Sequence, residues 1–322
     1  MKKMNEIAKM LKKYKKFLIT SHVNPEGDSL GSQLAAANLL RAMEKNFTIV
    51  NHDRVPAHYE FLPEADLVKA VSEITKTDFD AALVLDCPNL ERTGSVKPLV
   101  EKVKHVINID HHVSNENFGE INWVKPDVSS VGEMIYRLYK KLGCKITREA
   151  ALFLYISILT DTGSFNYSNT SAATHEIVSD LLGHGIEPYR VTRRIYENKT
   201  PGDIKLLGKA LESLTITGGG KIAFMAIRKK QFRQTGTMPS SCENFVNFAR
   251  SVRGVEVAVF FREDLKKKGL FHISFRSSRK ADVNKIARAL GGGGHKKAAG
   301  CLRTGSFEKV KREVLKAIKN EL

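Results

Sequence analysis

The chain has 322 residues, 42% hydrophobic and 27% charged, a composition that excludes a disordered chain and, at about 150 residues per domain, allows one large or two ordinary domains. The longest apolar run, Ala150 to Leu159, is ten residues with Ser157 inside it, where a membrane span needs roughly 20. The formal charge of +17 is uneven: residues 1–200 hold 26 basic and 25 acidic side chains (+1), residues 201–322 hold 26 and 10 (+16), so the second half is expected to face a polyanion, either nucleic acid or a multiply phosphorylated small molecule.

The elements predicted in chain order begin with an amphipathic helix carrying Ile7, Leu11 and Tyr14 on one face. A strand over Phe17–Thr20 runs into Ser21-His22, and a helix follows from about Ser29 to Glu44. Further strands are expected at Phe47–Val50, Ala81–Leu85 and Val106–Ile109, and helices at Val131–Leu142 and Arg148–Leu159. This alternation predicts an α/β fold with a mostly parallel sheet and helices on both faces, in which ligands collect at the C-terminal ends of the strands. A polar, helix-rich stretch from Glu187 to Leu214 contains Pro201-Gly202 and suggests a boundary: a first domain over 1–190, a linker over 191–215 and a smaller basic α/β domain over 216–322. In that second domain KIAFMAI, VEVAVFF and LFHISFR read as strands, Glu243–Arg250 and Val283–Leu290 as helical, and a Lys-rich helix closes the chain. The Lys-rich N-terminus reaches no apolar core or cleavage site, and Cys87, Cys144, Cys242 and Cys301 form no CxxC pair. No secretory signal, disulfide scaffold or zinc ribbon is expected; the expected location is the cytoplasm, with no membrane partner.

Four apolar segments of the first half end in metal-ligand chemistry. After FLIT come His22, Glu26 and Asp28 in SHVNPEGDSLGS, where Pro25 and Gly27 force a turn; Asp28 could instead cap the next helix. After AALVL comes Asp86, which is costly to bury unless paired or bound to a cation, followed by Arg92. After VINI come Asp110, His111 and His112, adjacent imidazoles of which one can ligate metal while the other meets a phosphoryl oxygen or gives a proton. After ISIL comes Asp161. Six oxygen and nitrogen ligands (His22, Glu26, Asp28, Asp86, His111, Asp161) without a thiol suit a two-cation centre if one carboxylate bridges, the arrangement that serves phosphoryl transfer. In the second half, GGGGHKKAAG offers glycine backbone N–H groups that can cradle an anion and a following segment that can open a helix; His295 adds charge, and Ser274 and Arg276 add donors nearby. Lys266, Lys267 and Lys268 read as a solvated hairpin tip.

Taken in order, SHVNPEGDSLGS, VLDCPNLERTG, NIDHH and LTDTGSF resemble the four motifs of the DHH phosphoesterase superfamily, and SFRSSRKADVNKIARALGGGGHKKAAGC resembles its DHH-associated C-terminal domain. The resemblance runs from about residue 5 to 320 and is greatest to the bifunctional oligoribonuclease and pAp phosphatase (nanoRNase) branch. It implies an active site in a cleft between two domains. His22, Glu26 and Asp86 would hold one Mn²⁺-type ion, with Mg²⁺ or Co²⁺ as substitutes; Asp28, Asp86, His111 and Asp161 would hold the second, with Asp86 bridging. His112 would contact the scissile phosphate beside the catalytic Asp86 and His111, while Arg276, Gly293, Gly294 and His295, with Ser274 and Arg92, would bind the nucleotide. Glu26 departs from the family pattern, which carries Asp there, and so bears on the geometry and metal preference of the first site. The implied activity is hydrolysis of short single-stranded RNA to mononucleotides and of 3′-phosphoadenosine 5′-phosphate to AMP. The rivals are a linear or cyclic dinucleotide phosphodiesterase, a single-strand DNA exonuclease, and a nucleic-acid-binding protein without catalysis; a homodimer stays open.

Overall fold

Five consecutive apolar residues, Ala81–Leu85, cannot lie on a solvated face, and they form a strand buried along its whole length at the centre of a parallel sheet. The computed structural model describes residues 2–74, 77–278 and 280–322, and the chain divides into two units after residue 198.

The first unit runs α1 (Lys2–Lys13), β1 (Lys16–Thr20), α2 (Gly27–Ala42), β2 (Asn46–Asn51), β3 (Val68–Ala70), β4 (Ala81–Leu85), α3 (Lys97–Val100), β5 (His105–Asp110), β6 (Ile121–Val124), α4 (Val131–Leu142), α5 (Arg148–Asp161), α6 (Ala172–Leu182) and α7 (Pro188–Tyr196). Its six strands are ordered β3-β2-β1-β4-β5-β6 and every pairing is parallel. Chain direction across the sheet reverses between β1 and β4, so the loops leaving those two strands part and open a crevice at their C-terminal ends. One face of the sheet carries the large core built from α1, α2, α4 and α5; the other is covered by a smaller cluster that includes Leu18, Val84, Cys87, Val96 and Val100. α2 and α5 are buried around most of their circumference, and they approach so closely that a Cβ at Gly31 would stand 2.5 Å from the Phe153 carbonyl oxygen.

The second unit runs α8 (Pro201–Glu212), β7 (Thr215–Thr217), β8 (Ile222–Ile227), α9 (Lys229–Thr235), α10 (Phe245–Arg250), β9 (Val257–Glu263), β10 (Leu270–Ser277), α11 (Val283–Ala289), β11 (Gly293–Gly294), β12 (Ala298–Thr304) and α12 (Phe307–Lys319). Its sheet is ordered β11-β12-β10-β9-β8-β7, with β8–β9 parallel and the other pairs antiparallel. Alternation along β10 puts Phe271, Ile273 and Phe275 into one core and leaves His272, Ser274 and Arg276 half-buried on the opposite face. The stretch 191–215 holds the end of α7 and all of α8. The first unit carries no formal net charge, so the whole excess of +17, from 27 basic against 10 acidic side chains, belongs to the second.

Two local expectations change. The segment after the four glycines opens no helix: His295 and Ala298 bond each other's backbones across a tight turn, and Ala298–Thr304 continues as β12 against β10. Asp28 is not the N-cap of its helix; Glu26 is, with Ser29 closing a capping box. Among the described residues no helix is long and apolar enough to cross a membrane.

Candidate metal centre

The loops leaving β1, β4 and β5, with the start of α2 and the end of α5, bring His22, Asp86, Asp110, His111, His112, Asp28 and Asp161 together. All but Asp161 are buried. Asp86 is the centre of the group. Its Oδ2 lies 3.3 Å from His22 Nε2; its Oδ1 lies 3.6 Å from both His111 Nε2 and His112 Nδ1. His111 Nε2 is also 3.6 Å from Asp28 Oδ2 and 3.5 Å from Asp161 Oδ2. Ligand atoms of His22, Glu26 and Asp86 fall within 4.8 Å of one another, and so do those of Asp28, Asp86 and His111. The two groups share Asp86, one oxygen toward each.

Supporting contacts fix these side chains. His22 Nδ1 donates to the Val23 carbonyl at 2.7 Å, which turns the unprotonated Nε2 toward Asp86. Asp28 sits at the N-terminus of α4 and accepts from Val131 N (2.9 Å) and Gly132 N (3.2 Å), so it satisfies the open end of a helix that starts 103 residues further along rather than its own. Ser157 Oγ on α5 donates to Asp28 Oδ1 at 2.5 Å and accepts from Gly132 N at 2.9 Å. Asn169 Nδ2 reaches Asp161 Oδ2 at 3.3 Å and the Ser129 carbonyl at 2.8 Å. His112 Nδ1 donates to Asp110 Oδ1 at 2.7 Å, and Asn115 Nδ2 holds Asp110 Oδ2 at 2.6 Å.

The residues present fit a cation. Asp86 Oδ2 is buried and accepts no hydrogen bond, a costly state for a carboxylate oxygen that a metal ion would relieve. Burial, followed by the Asp28, Glu26, Asp110 and Asp161 carboxylates, pushes Asp86 well above the usual carboxylate range. His22 goes the other way: burial, then the Arg92 guanidinium, bring it down to about 3, so it is a neutral imidazole suited to ligation. Burial also opposes charge on His111, yet Asp161, Asp28 and Asp110 outweigh it and raise its affinity for a proton, the same demand for positive charge that a divalent cation meets. Burial works against ionised Asp110 as well, but the His112 imidazole and the Asn115 amide hold it well below the carboxylate range. Cys87, one residue on, turns its thiol to the Asn89 carbonyl, and burial raises it out of the range in which a thiolate ligand forms. The backbone is strained at the hub: Asp86 has φ +50°, which costs a non-glycine residue about 1–3 kcal/mol.

Every sequence-predicted ligand lies in this group, with Glu26 exposed at its rim. Arg92 sits in the turn Leu90–Val96, its carbonyl accepting from Val23 N at 2.7 Å and its charge felt by His22. Ser274, Arg276, Gly293, Gly294 and His295 belong to the second unit. There Ser274 pairs with Gly300, and Gly300 with Gly293, in one row across three strands, while Arg276 pairs with Ala298. Gly294 has φ +144°, and a Cβ on it would meet the Ala298 carbonyl oxygen and the Ala299 Cα at 2.6 Å, so glycine is required. Sequence reasoning missed Asn115, Ser157 and Asn169. Each touches a ligand rather than the metal position, and no spacing rule marks such residues.

Residues 16–158 match the family model described as the DHH family, N-terminal domain, and residues 207–322 match the DHHA1 domain. The chain is 32% identical to the bifunctional oligoribonuclease and PAP phosphatase NrnA of Thermus thermophilus, over 99% of this chain and 94% of that one. It is 28% identical to the protein of the same name from Bacillus subtilis, over 92% and 91%. The crystal structure of an exopolyphosphatase-related protein from Bacteroides fragilis superposes with a TM-score of 0.91 at 26% identity, over 99% of this chain and 96% of that one. With its motifs in order on a parallel sheet and a DHHA1 domain following them in the sequence, the chain belongs to the DHH family of phosphoesterases.

Proposed function

We propose that this phosphoesterase hydrolyses short single-stranded RNA to mononucleotides and 3′-phosphoadenosine 5′-phosphate to AMP, in the cytoplasm, with two Mn²⁺-type ions. The observation that carries the reading is Asp86, whose two oxygens face two separate groups of ligands while one of them accepts no hydrogen bond. His22, Glu26 and Asp86 would hold one ion and Asp28, Asp86, His111 and Asp161 the other. Bound there, the ions supply charge stabilisation of the phosphoryl group and activation of the attacking water. The protein's own groups do the rest. Asp110 accepts a hydrogen bond from His112 Nδ1–H, so Nε2 is the nitrogen free to meet the phosphoryl or leaving oxygen and to exchange a proton with it. Arg92 adds a guanidinium at the rim for a second phosphate. The strand row Ser274, Gly300 and Gly293, with Arg276 and His295, binds the nucleotide, and the net charge of the second unit draws the polyanion in. Both substrates named for the Thermus and Bacillus relatives are short and carry phosphates.

The test is a panel with Mn²⁺: 3′-phosphoadenosine 5′-phosphate, labelled ribo-oligomers of two to six residues, linear and cyclic dinucleotides, and long single-stranded DNA. Mononucleotide release from the ribo-oligomers and AMP release from the bisphosphate are expected. Absence of both, with Mn²⁺ binding intact by calorimetry, refutes the reading.

A further inference from the structure

A cavity of about 310 Å³ opens in the second unit where the β9–β10 hairpin meets α9. Its walls are Phe232, Thr237, Met238 and Leu265, with Lys229 and Arg233 at the rim. Phe232 is buried beneath it, whereas Met238 is 62% exposed, an unusual cost for a large apolar side chain. Lys230 adjoins the rim, and Lys266, Lys267 and Lys268 follow Leu265 around the hairpin tip, all exposed.

The two acids of the hairpin, Glu263 and Asp264, are already engaged. Glu263 accepts from Arg228 Nε at 2.8 Å and Lys229 N at 3.2 Å. Asp264 Oδ1 accepts from Lys266 N (2.9 Å) and Lys267 N (2.7 Å), and its Oδ2 pairs with His272 Nε2 at 2.9 Å. The tip is thus a pinned turn, and Lys229, Lys230, Arg233 and Lys266–Lys268 make no ion pair among the described residues. The cavity lies on the same face of the sheet as His272, Ser274 and Arg276. From Arg276 to Leu270 the strand covers roughly 20 Å at about 3.3 Å per residue. Between the two ends, opposite His272, Leu302 is 55% exposed.

We infer that this pocket is a second nucleotide site, taking one base of a longer single-stranded RNA against Met238, Leu265 and Phe232 while Lys229, Arg233 and the hairpin lysines hold the flanking phosphates. The inference rests on the RNA reading above. The volume suits a nucleobase, the polarisable apolar walls suit its faces, and cations without carboxylate partners suit the backbone on either side. A dinucleotide at the Gly293–Gly294 end is too short to reach it; an oligomer of a dozen residues spans both.

The experiment measures anisotropy of a fluorescein-labelled 12-residue ribo-oligomer on the full chain in EDTA, and in parallel Mn²⁺-dependent turnover of a dinucleotide. Lys229→Ala/Arg233→Ala is expected to weaken 12-mer binding about tenfold and to reduce the slope of log Kd against log salt by about 1.4. Met238→Glu is expected to weaken it similarly, with dinucleotide kcat/KM unchanged in both variants. Wild-type affinity in both variants overturns the site. Weakening by the cation variant alone also overturns it, because the contact is then surface charge without a pocket. If the wild type turns over no dinucleotide yet both variants lose 12-mer affinity, the catalytic reading fails and the site stands. Competition by an acidic peptide as strong as that by unlabelled RNA would make this a protein-docking surface and refute the inference.

Discussion

Replacing Asp86 by Asn should make the metal-free protein more stable and the metal-bound protein useless. Asp86 is 1% exposed, and Asp28, Glu26, Asp110 and Asp161 all push against its charge. Its folded pKa is raised above the unfolded value, so the metal-free folded state keeps a proton that the unfolded state loses. Stability therefore falls as pH rises from the unfolded value near 4 toward the folded one, by up to about 1.4 kcal/mol per pH unit, and an amide has no such slope. In a unit of this size each kcal/mol is worth about 2–4 °C. In EDTA at pH 8, Asp86→Asn should melt several degrees above the wild type, and the gap should close as pH approaches 4. Saturating Mn²⁺ at 100 times its Kd should add about 2.7 kcal/mol, or roughly 5–10 °C, to the wild type and little to the variant, reversing the order. Trp123, the single tryptophan of the chain, is nearly buried in β6 and reports melting of the first unit by fluorescence. An Asn variant less stable than the wild type in EDTA at pH 8, or one with an equal Mn²⁺ shift, would refute the electrostatic account of the site.

Three further outcomes follow from the supporting contacts. Ser157→Ala removes the hydroxyl that links Asp28 to Gly132, so it should cost about 2 kcal/mol in the metal-free melt and weaken Mn²⁺ binding at least tenfold by calorimetry. Asn115→Ala leaves one oxygen of Asp110 without its amide and loosens His112; kcat should fall 10- to 100-fold while the Mn²⁺ affinity stays near that of the wild type. Gly294→Ala puts a methyl into the Ala298 and Ala299 backbone, so it should destabilise the second unit by about 2–4 kcal/mol in denaturant melts and leave the Trp123 transition in place.

The strands whose ends carry the site were legible because they are central. β1, β4 and β5 are buried on both faces, so they read as apolar runs, and the first polar residue after each run marks a loop at the sheet's C-terminal edge. β3, β6 and β7 are short strands at or next to sheet edges, with mixed composition, and nothing in their few residues separates them from loop. The supporting residues were silent for another reason. Ser157 is one hydroxyl in an apolar helix, and it matters only because folding brings it 2.5 Å from Asp28, 129 positions earlier. Asp28 was legible as a ligand or as a cap of its own helix; that its carboxylate also accepts from the first N–H groups of α4, beside the N-cap Ser130, is a contact no local pattern encodes. The glycine run was legible as a place of close approach; its role as a strand was not, because β11 is two residues long and is defined by β12, which lies beyond it in the chain.

The division of charge between the units has a kinetic consequence. The acidic cluster is buried and belongs to a unit with no formal net charge, while the second unit carries the whole +17 on a largely solvated surface. Salt screens exposed charges over about 10 Å at 0.1 M but reaches buried pairs much less. Capture of a polyanion by the second unit should therefore weaken steeply with salt, with log KM rising in proportion to log salt at about 0.7 per phosphate contact. The step at the buried cluster should not respond. Between 50 and 300 mM KCl, KM for a ribo-oligomer should climb severalfold at constant kcat, and KM for the bisphosphate, with fewer phosphates, should climb less. A kcat that falls with salt at saturating substrate, while KM holds, would mean that the exposed lysines act in the chemical step and would reverse the assignment of binding to one unit and chemistry to the other.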